Sequence, residues 1–481
     1  MNYRLIFQSL SRIIGLLSLT MIPPLILSYA FHEVVHIHFI IPIVLLLIVS
    51  AFSFFRKHDI KELNVRESIV IVVVTWLCAS FFGALPFLLD HVLPSFTDAF
   101  FESLSGFTAT GSTVISDIES VPHSVLFWRS ETHWLGGMGI VVLAIVIFPS
   151  FRGHYKLFSS ESPVSVNEDK LFPQIAMVAK SYWKVYILFT LIEFLLLMPV
   201  MGWFDAATHA FGSIAGGGFS TKNASIAYFD SLYVEIVIMV FMIAGATSFI
   251  LHYQALRGKF MYFKSISFKI FIYISLSASI LIAFNLYLIN QHDIPFLSYF
   301  RDAIFQVISI ITTTGFATTD FKNWPDFSIF MLILLMFVGG MSASTSGSIK
   351  IWRIEIVLKE IRLMIRRILH NKAVLYLRLN GRKIEPHMVQ KVQIFVFAYI
   401  FIFVISGAML TAIGYGPGTS FSAVAATLGN VGPGIGAVGP FDNFGQFSEI
   451  AKWILSFDML LGRLEIWTVF SLFLPEFWGV V

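Results

Sequence analysis

Four glycines close four strings of the same grammar. Asp98-Ala99 precedes Gly111 by thirteen residues, in a segment ending Thr108-Ala109-Thr110-Gly111-Ser112. Asp205-Ala206 stands thirteen before Gly218, ending Ala215-Gly216-Gly217-Gly218-Phe219, and Asp302-Ala303 thirteen before Gly315, ending Thr312-Thr313-Thr314-Gly315-Phe316. In the fourth string Thr419-Ser420 precedes Gly432 by thirteen, ending Gly429-Asn430-Val431-Gly432-Pro433. Asp and Thr are good N-cap residues, because a side-chain oxygen satisfies free amides at a helix start. The ten or so apolar and small residues that follow suit a short helix. Its carbonyl end carries partial negative charge and favours a cation. The glycine then permits a backbone that other residues avoid, so that consecutive carbonyls can face one axis.

Four such turns around an axis would form a ring of carbonyls able to replace the hydration shell of a potassium ion. The expected ligands are the carbonyls of Ala109, Thr110, Gly216, Gly217, Thr313, Thr314, Asn430 and Val431, with Gly111, Gly218, Gly315 and Gly432 as pivots. The threonines of the first and third strings add hydroxyls. Each string has one central glycine and the four differ, which implies few ion sites and a modest preference for potassium over sodium.

Two other strings carry chemistry on paper. His32-Glu33-Val34-Val35-His36 matches the H-E-x-x-H zinc-protease pattern, which needs both histidines on one helix face, a third ligand and a roofed site. It falls in a short link with Pro42 close behind, and His38 at i+2 points elsewhere. A membrane metalloprotease is therefore a distant alternative. Gly432-x-Gly434-x-x-Ala437 looks like a dinucleotide fingerprint, but it follows a short helix with no βαβ unit around it.

The elements that must hold these residues follow from composition. The 481 residues are 57% hydrophobic and only 13% charged, where a soluble protein carries roughly 25% charged residues. Too few polar side chains remain to face water all round, so lipid is the main solvent. Soluble enzymes, nucleic-acid binders, secreted disulfide scaffolds and disordered tails are excluded, and the single cysteine, Cys78, is a packing residue. Apolar runs near 10–31, 38–55, 68–89, 125–150, 183–202, 232–252, 267–290, 328–349, 392–413 and 450–475 give ten candidate spans. The first, behind Arg4 and Arg12, has no cleavage signature and is expected to be retained.

With a cytoplasmic N-terminus and ten crossings, inner segments hold 25 of the 32 Lys and Arg, eleven of them between 350 and 391. The four Gly/Thr-rich outer connections hold three, Lys222, Arg301 and Lys322, against twelve acids. This is the positive-inside pattern, and an outer face of −9 would attract cations.

With these features on the page, the sequence resembles the Trk/Ktr/HKT superfamily of potassium-uptake subunits, most closely its bacterial TrkH/TrkG branch. The resemblance rests on the four turns, on Trp134-Leu135-Gly136-Gly137-Met138-Gly139, on Gly217-Gly218-Phe219-Ser220-Thr221 and on Gly462-Arg463-Leu464-Glu465. It implies an all-α polytopic membrane protein with four pseudo-symmetric span–pore helix–span repeats around one ion pore, plus two N-terminal transmembrane helices. The expected division is 1–66 for that helix pair, then 67–155, 170–258, 259–370 and 371–481 for the repeats. Potassium is the transported ligand, passing through a gated, channel-like pore in a bacterial inner membrane with both termini cytoplasmic. The family further implies a homodimer, and a cytoplasmic ring of TrkA-type nucleotide-binding regulatory subunits for which the segment from Lys350 to Lys391 is a docking candidate.

Two intramembrane features bear on gating. Gly339, Gly340, Ser344 and Gly347 belong to a run of small and hydroxyl residues (339–348) that weakens the eighth apolar run. In the family this is a loop beneath the selectivity ring that moves for ions to pass; this chain carries more serine there. Arg463 lies mid-span, where a charge is costly and marks function. The resemblance places it below the ring as a barrier, with Glu465 a possible partner. The competing mechanism is proton- or sodium-coupled symport, which needs a titratable carboxylate in the pathway. Glu193 and Glu465 are the mid-span candidates, and neither lies in the turns. No span carries a regular array of arginines, so control is expected from the partner.

Overall fold

The structure is a computed structural model of the chain, and it describes residues 1–34, 36–54, 63–139, 175–290, 293–370, 375–379 and 382–479. The fold is an all-α polytopic membrane protein. The described helices run α1 (Tyr3–Thr20), α2 (Ile22–Ala30), α3 (His36–Phe54), α4 (Val65–Leu89), α5 (Phe96–Phe107), α6 (His123–Gly137), α7 (Ile175–Ala215), α8 (Leu232–Ala246), α9 (Phe249–Leu256), α10 (Ile266–Ile289), α11 (Phe296–Ile311), α12 (Asp326–Met336), α13 (Ile351–Leu369), α14 (Pro386–Ile413), α15 (Pro417–Leu428), α16 (Glu449–Leu464) and α17 (Ile466–Phe470). Two short ladders accompany them. Val338–Gly339 pairs in parallel with Ile349–Lys350, and Arg378–Leu379 pairs antiparallel with Arg382–Lys383.

The distribution of side chains is that of a protein dissolved in lipid. Leu191, Leu195, Phe284, Phe397 and Phe401 are exposed on the long helices, whereas Ser103, Ser105, Thr108, Thr312, Ser309 and Thr427 are buried around the centre. Buried Arg129 and Lys452 are ion-paired, as a low-dielectric interior favours, whereas Glu131 Oε2 has no hydrogen-bond partner among the described residues. Cys78 packs half-buried against the core.

Among the described residues, five helices are long and apolar enough to cross a membrane: Tyr3–Ala30, Val65–Leu89, Ala179–Ala215, Ile266–Ile289 and Pro386–Ile413. The ten apolar runs therefore overcount unbroken spans. Leu232–Ala246 and Phe249–Leu256 are bent by 105° at Thr247-Ser248. The run at 328–349 leaves the helix after Met336, where glycines and hydroxyl residues begin. The run at 450–475 breaks at Glu465. The run at 125–150 and the repeat boundaries at 155 and 170 extend into 140–174, outside the described residues.

The half-apolar connections fold into short helices as expected. α5 and α15 have 12 residues each, and α11 has 16. The second is the tail of α7 after Gly202, whose φ of 77° and ψ of 164° break the helix just beyond Pro199. The expected N-caps do not hold. α5, α11 and α15 start at Phe96, Phe296 and Pro417, after Ser95, Pro295 and Gly416, so Asp98, Asp302 and Thr419 lie inside the helices, and Asp205 stands three past the break at Gly202. Proline at or next to the first position starts α11 and α15, and the aspartates of the other two short helices bond elsewhere. Asp98 Oδ1 meets Lys452 Nζ at 2.5 Å, and Asp205 Oδ1 accepts from the Thr221 hydroxyl at 2.7 Å.

Candidate functional site

All four short helices end in the same way. In α5 the N–H of Thr110 reaches the Ser105 carbonyl at 2.9 Å, and the N–H of Ala109 reaches that of Gly106 at 2.9 Å. Gly217 and Gly216 repeat this on Gly212 and Ser213, Thr314 and Thr313 on Ser309 and Ile310, and Val431 and Asn430 on Ala426 and Thr427. This is the Schellman cap, which needs a left-handed residue just past the helix. That residue is Ala109 (φ 51°), Gly216 (69°), Thr313 (59°) or Asn430 (52°). Two positions on, the pivots are left-handed as well: Gly111 (86°), Gly218 (74°), Gly315 (85°) and Gly432 (102°). The pivots were legible in the sequence. The left-handed Ala109 and Thr313 were not, since neither type prefers that region.

The four turns touch one another in a closed cycle. A Cβ added to Gly111 would lie 2.1 Å from the Gly217 carbonyl oxygen, one on Gly218 1.9 Å from that of Thr314, one on Gly315 2.2 Å from that of Val431, and one on Gly432 2.8 Å from that of Thr110. Each pivot glycine thus admits the carbonyl just before the next pivot. The hydroxyls of the first and third strings pair locally, Thr108 with Thr110 at 2.7 Å and Thr312 with Thr314 at 2.8 Å. The Asn430 amide spans from the fourth turn to the Thr110 hydroxyl at 2.9 Å.

A set of supports went unread in the sequence. Nine residues before three of the pivots stand Glu102, His209 and Gln306, each reaching the segment after its own pivot. Glu102 accepts from the Val114 N–H at 2.8 Å and the Thr113 hydroxyl at 2.9 Å. His209 Nε2 lies 2.8 Å from the Ser220 hydroxyl, and the Gln306 amide oxygen, turned toward Thr318, lies 2.9 Å from its N–H. The fourth string places Ser422 one residue earlier, bonded to both the N–H and the carbonyl of Ile435 at 3.0 Å. A polar residue at a common offset was the signal available. Buried Arg129 braces the first support, 2.7 Å from Glu102, and donates to the Ser220 carbonyl at 2.9 Å.

Beneath the turns lies the loop at 337–350. Its hydroxyls tie it to three of the short helices. Thr345 donates to the Ile214 carbonyl at 3.1 Å, Ser346 to that of Thr312 at 2.9 Å, and Ser348 to that of Gly429 at 3.0 Å. The Thr313 hydroxyl accepts the Gly347 N–H at 2.8 Å. Gly340 and Gly339 pack so closely on the loop and on Ala246 that a Cβ would meet backbone oxygens at 2.6 and 2.1 Å. The extra serines are therefore fastenings. Arg463 donates to the Thr345 carbonyl at 2.7 Å, to that of Gly136 at 2.5 Å and to that of Gly137 at 2.7 Å, so the two glycine motifs 136–137 and 462–465 meet at the loop. Lys350 donates to the Ser346 carbonyl. These groups line a cavity of about 90 Å³ with Trp76, Tyr399 and Glu465. The Glu465 carboxylate meets Arg353 at 2.6 Å.

On the other side of the turns several acids are paired. Lys452 holds Asp98, Lys222 stands 3.7 Å from Asp205, Arg301 2.7 Å from Glu235, and Lys322 3.0 Å from Asp442 and 3.7 Å from Asp320. The hydrogen bond to Asp442 raises the Lys322 ammonium above its usual range. The count of −9 covered the outer connections alone; the helices add Arg129 and Lys452 to this network, and Glu235 as well.

The zinc motif dissolves in structure. Glu33 caps the start of α6, accepting from the His123 N–H at 2.6 Å, the Ser124 N–H at 3.1 Å and the Ser124 hydroxyl at 2.5 Å. His38 pairs with Asp90 at 3.3 Å, and Val35 lies outside the described residues. No group of three or more His, Cys, Asp or Glu able to hold a metal ion occurs among the described residues. The Gly432–Ala437 string follows α15 and carries no strand–helix unit. Glu193, which lies outside the turns, accepts a hydrogen bond from Ser213 in the second short helix, three residues before Gly216.

Residues 35–478 match the TrkH family, described as a cation transport protein. The Trk system potassium uptake protein TrkH of Halomonas elongata is 37% identical over 484 residues, covering 99% of this chain and 100% of that protein. TrkH of Escherichia coli K12 is 36% identical, covering 98% and 99%, and TrkG of the same strain is 33% identical, covering 99% of both. The crystal structure of the potassium transporter TrkH from Vibrio parahaemolyticus superposes with a TM-score of 0.89 at 36% identity, covering 99% of this chain and all of that one.

Proposed function

Because this chain belongs to the TrkH family of cation transport proteins, and so is a transporter and not an enzyme, we propose that it takes up potassium through a gated, channel-like pore. The observation that carries this reading is the closed cycle of four turns, each pivot glycine admitting the carbonyl of the next. The carbonyls of Thr110, Gly217, Thr314 and Val431 form the selectivity ring, with those of Ala109, Gly216, Thr313 and Asn430 one step below. Peptide oxygens held this way replace water around an alkali cation without carrying a full charge.

Below the ring the loop with Gly339, Gly340, Ser344 and Gly347 is the gate, and Arg463 is a cationic barrier fastened to it. The four repeats and the N-terminal helix pair divide as 1–66, 67–155, 170–258, 259–370 and 371–481. Conduction is passive and driven by membrane potential; the carboxylate a symporter needs is absent from the turns themselves.

The setting that fits is a bacterial inner membrane with both termini cytoplasmic, a homodimer, and a TrkA-type regulatory ring that binds the controlling nucleotide. Of the basic segment, Lys350 and Arg353 are turned inward to the loop and to Glu465. The docking surface is accordingly the far half of α13, where Arg362, Arg366 and Arg367 stand among exposed Ile361, Ile365 and Ile368. Reconstitution of the full chain into liposomes with potassium and sodium gradients tests the ring. Gly315→Ser should admit sodium far better than the parent, and equal discrimination in both would refute it.

A further inference from the structure

The last long helix is broken at a residue that strains its backbone. α16 ends at Leu464 and α17 begins at Ile466, and between them Glu465 holds φ 59° and ψ 143°. That region suits glycine, and a residue with a side chain persists there only where its surroundings hold it. Here the holder is Arg353. Its Nη2 lies 2.6 Å from Glu465 Oε2, both side chains largely shielded at 7% and 18% exposure. Its guanidinium rests 3.9 Å from the centre of the Phe395 ring, which fixes it on α14 as well. An ion pair so enclosed has strong geometric demands, and removing one partner strands the other.

Two residues before the break, Arg463 donates to the carbonyls of Thr345, Gly136 and Gly137. Arg353 is itself the third residue of α13, which continues without interruption from Lys350 at the end of the loop ladder. One helix is thus joined to the loop through the chain and to the Arg463 segment through an ion pair.

We propose that Arg353 is a positioning residue for Arg463: its pair with Glu465 holds the strained break and so keeps the Arg463 guanidinium on the loop and α6 carbonyls, making α13 the element that releases loop and arginine together. The inference rests on the pore reading for its meaning. When α13 shifts, the pair opens, the break relaxes and Arg463 leaves its carbonyls as the loop moves.

The test uses the full chain in liposomes, with Cys78→Ser and a reporter Met138→Cys in the cavity that the loop lines. Labelling by a water-soluble maleimide and partner-free potassium flux are both read. Arg353→Gln and Glu465→Gln should each raise labelling and flux about tenfold, the double variant no further, and the exchange Arg353→Glu with Glu465→Arg should return both toward the parent values. Glu465→Gly suits the backbone but lacks the carboxylate; it should label as fast as Glu465→Gln while melting at a higher temperature. Parent-like labelling in a single variant that melts like the parent would overturn the proposal, as would an exchange that stays as open as the singles. Slow labelling in Glu465→Gly would also overturn it, by assigning the hold to something other than the pair. If Arg353→Gln does not fold, the two Glu465 variants decide. Labelling that rises without any potassium flux would leave the positioning role standing and remove the pore reading.

Discussion

Gly218 and Thr314 lie 96 positions apart, yet a methyl group on the first would stand 1.9 Å from the carbonyl oxygen of the second. Real Cβ atoms do not approach so closely, so the contact exists only because position 218 carries no side chain. Its φ of 74° adds a second demand for glycine.

Gly218→Ala should therefore push the Thr314 carbonyl from its place and strain the turn by about 1–2 kcal/mol. The expected outcome is a loss of potassium-over-sodium discrimination of about tenfold, corresponding to about 1.4 kcal/mol. Ion-gradient flux in liposomes measures it, and unchanged discrimination in a folded variant would count against the ring.

Ser346 and Ser348 bond the loop to the ends of the third and fourth short helices. Replacing either by alanine removes a hydrogen bond worth about 0.5–1.5 kcal/mol net. On the gate reading each variant should conduct several-fold more potassium without its partner. A flux equal to the parent would show that these bonds brace the fold and not the gate.

Glu33 satisfies two N–H groups at the start of α6. Glu33→Gln should lower thermal stability by about 0.5–2 kcal/mol, the range of a lost helix cap. Potassium uptake should stay at the parent level, and metal analysis should find no zinc in either protein. Stoichiometric zinc lost with the substitution would restore the metal reading.

Glu193 touches the second short helix through Ser213 and is one of the two mid-span acids singled out as candidates for coupling. Under passive conduction Glu193→Gln leaves the pH dependence of uptake as in the parent. A variant that still conducts but no longer responds to pH would shift the mechanism to symport.

The sequence by itself determined the solvent, the offset of thirteen residues and the four pivot glycines, because composition and short-range spacing are local properties. That the loop and Arg463 share one region came from the family resemblance and not from local pattern, and the break at Glu465 became visible only in the structure. Local pattern failed where a long contact outbid a local preference: Asp98 left its expected cap for Lys452, and Glu33 left a paper zinc site to cap a helix ninety residues away. Only the tertiary structure decided which carbonyl each glycine admits, which helix end each loop hydroxyl fastens, and that Glu465 meets Arg353 from 112 residues off. Such pairings depend on helix ends brought together by packing in three dimensions, and no periodicity along a chain records which distant end will arrive beside a given side chain.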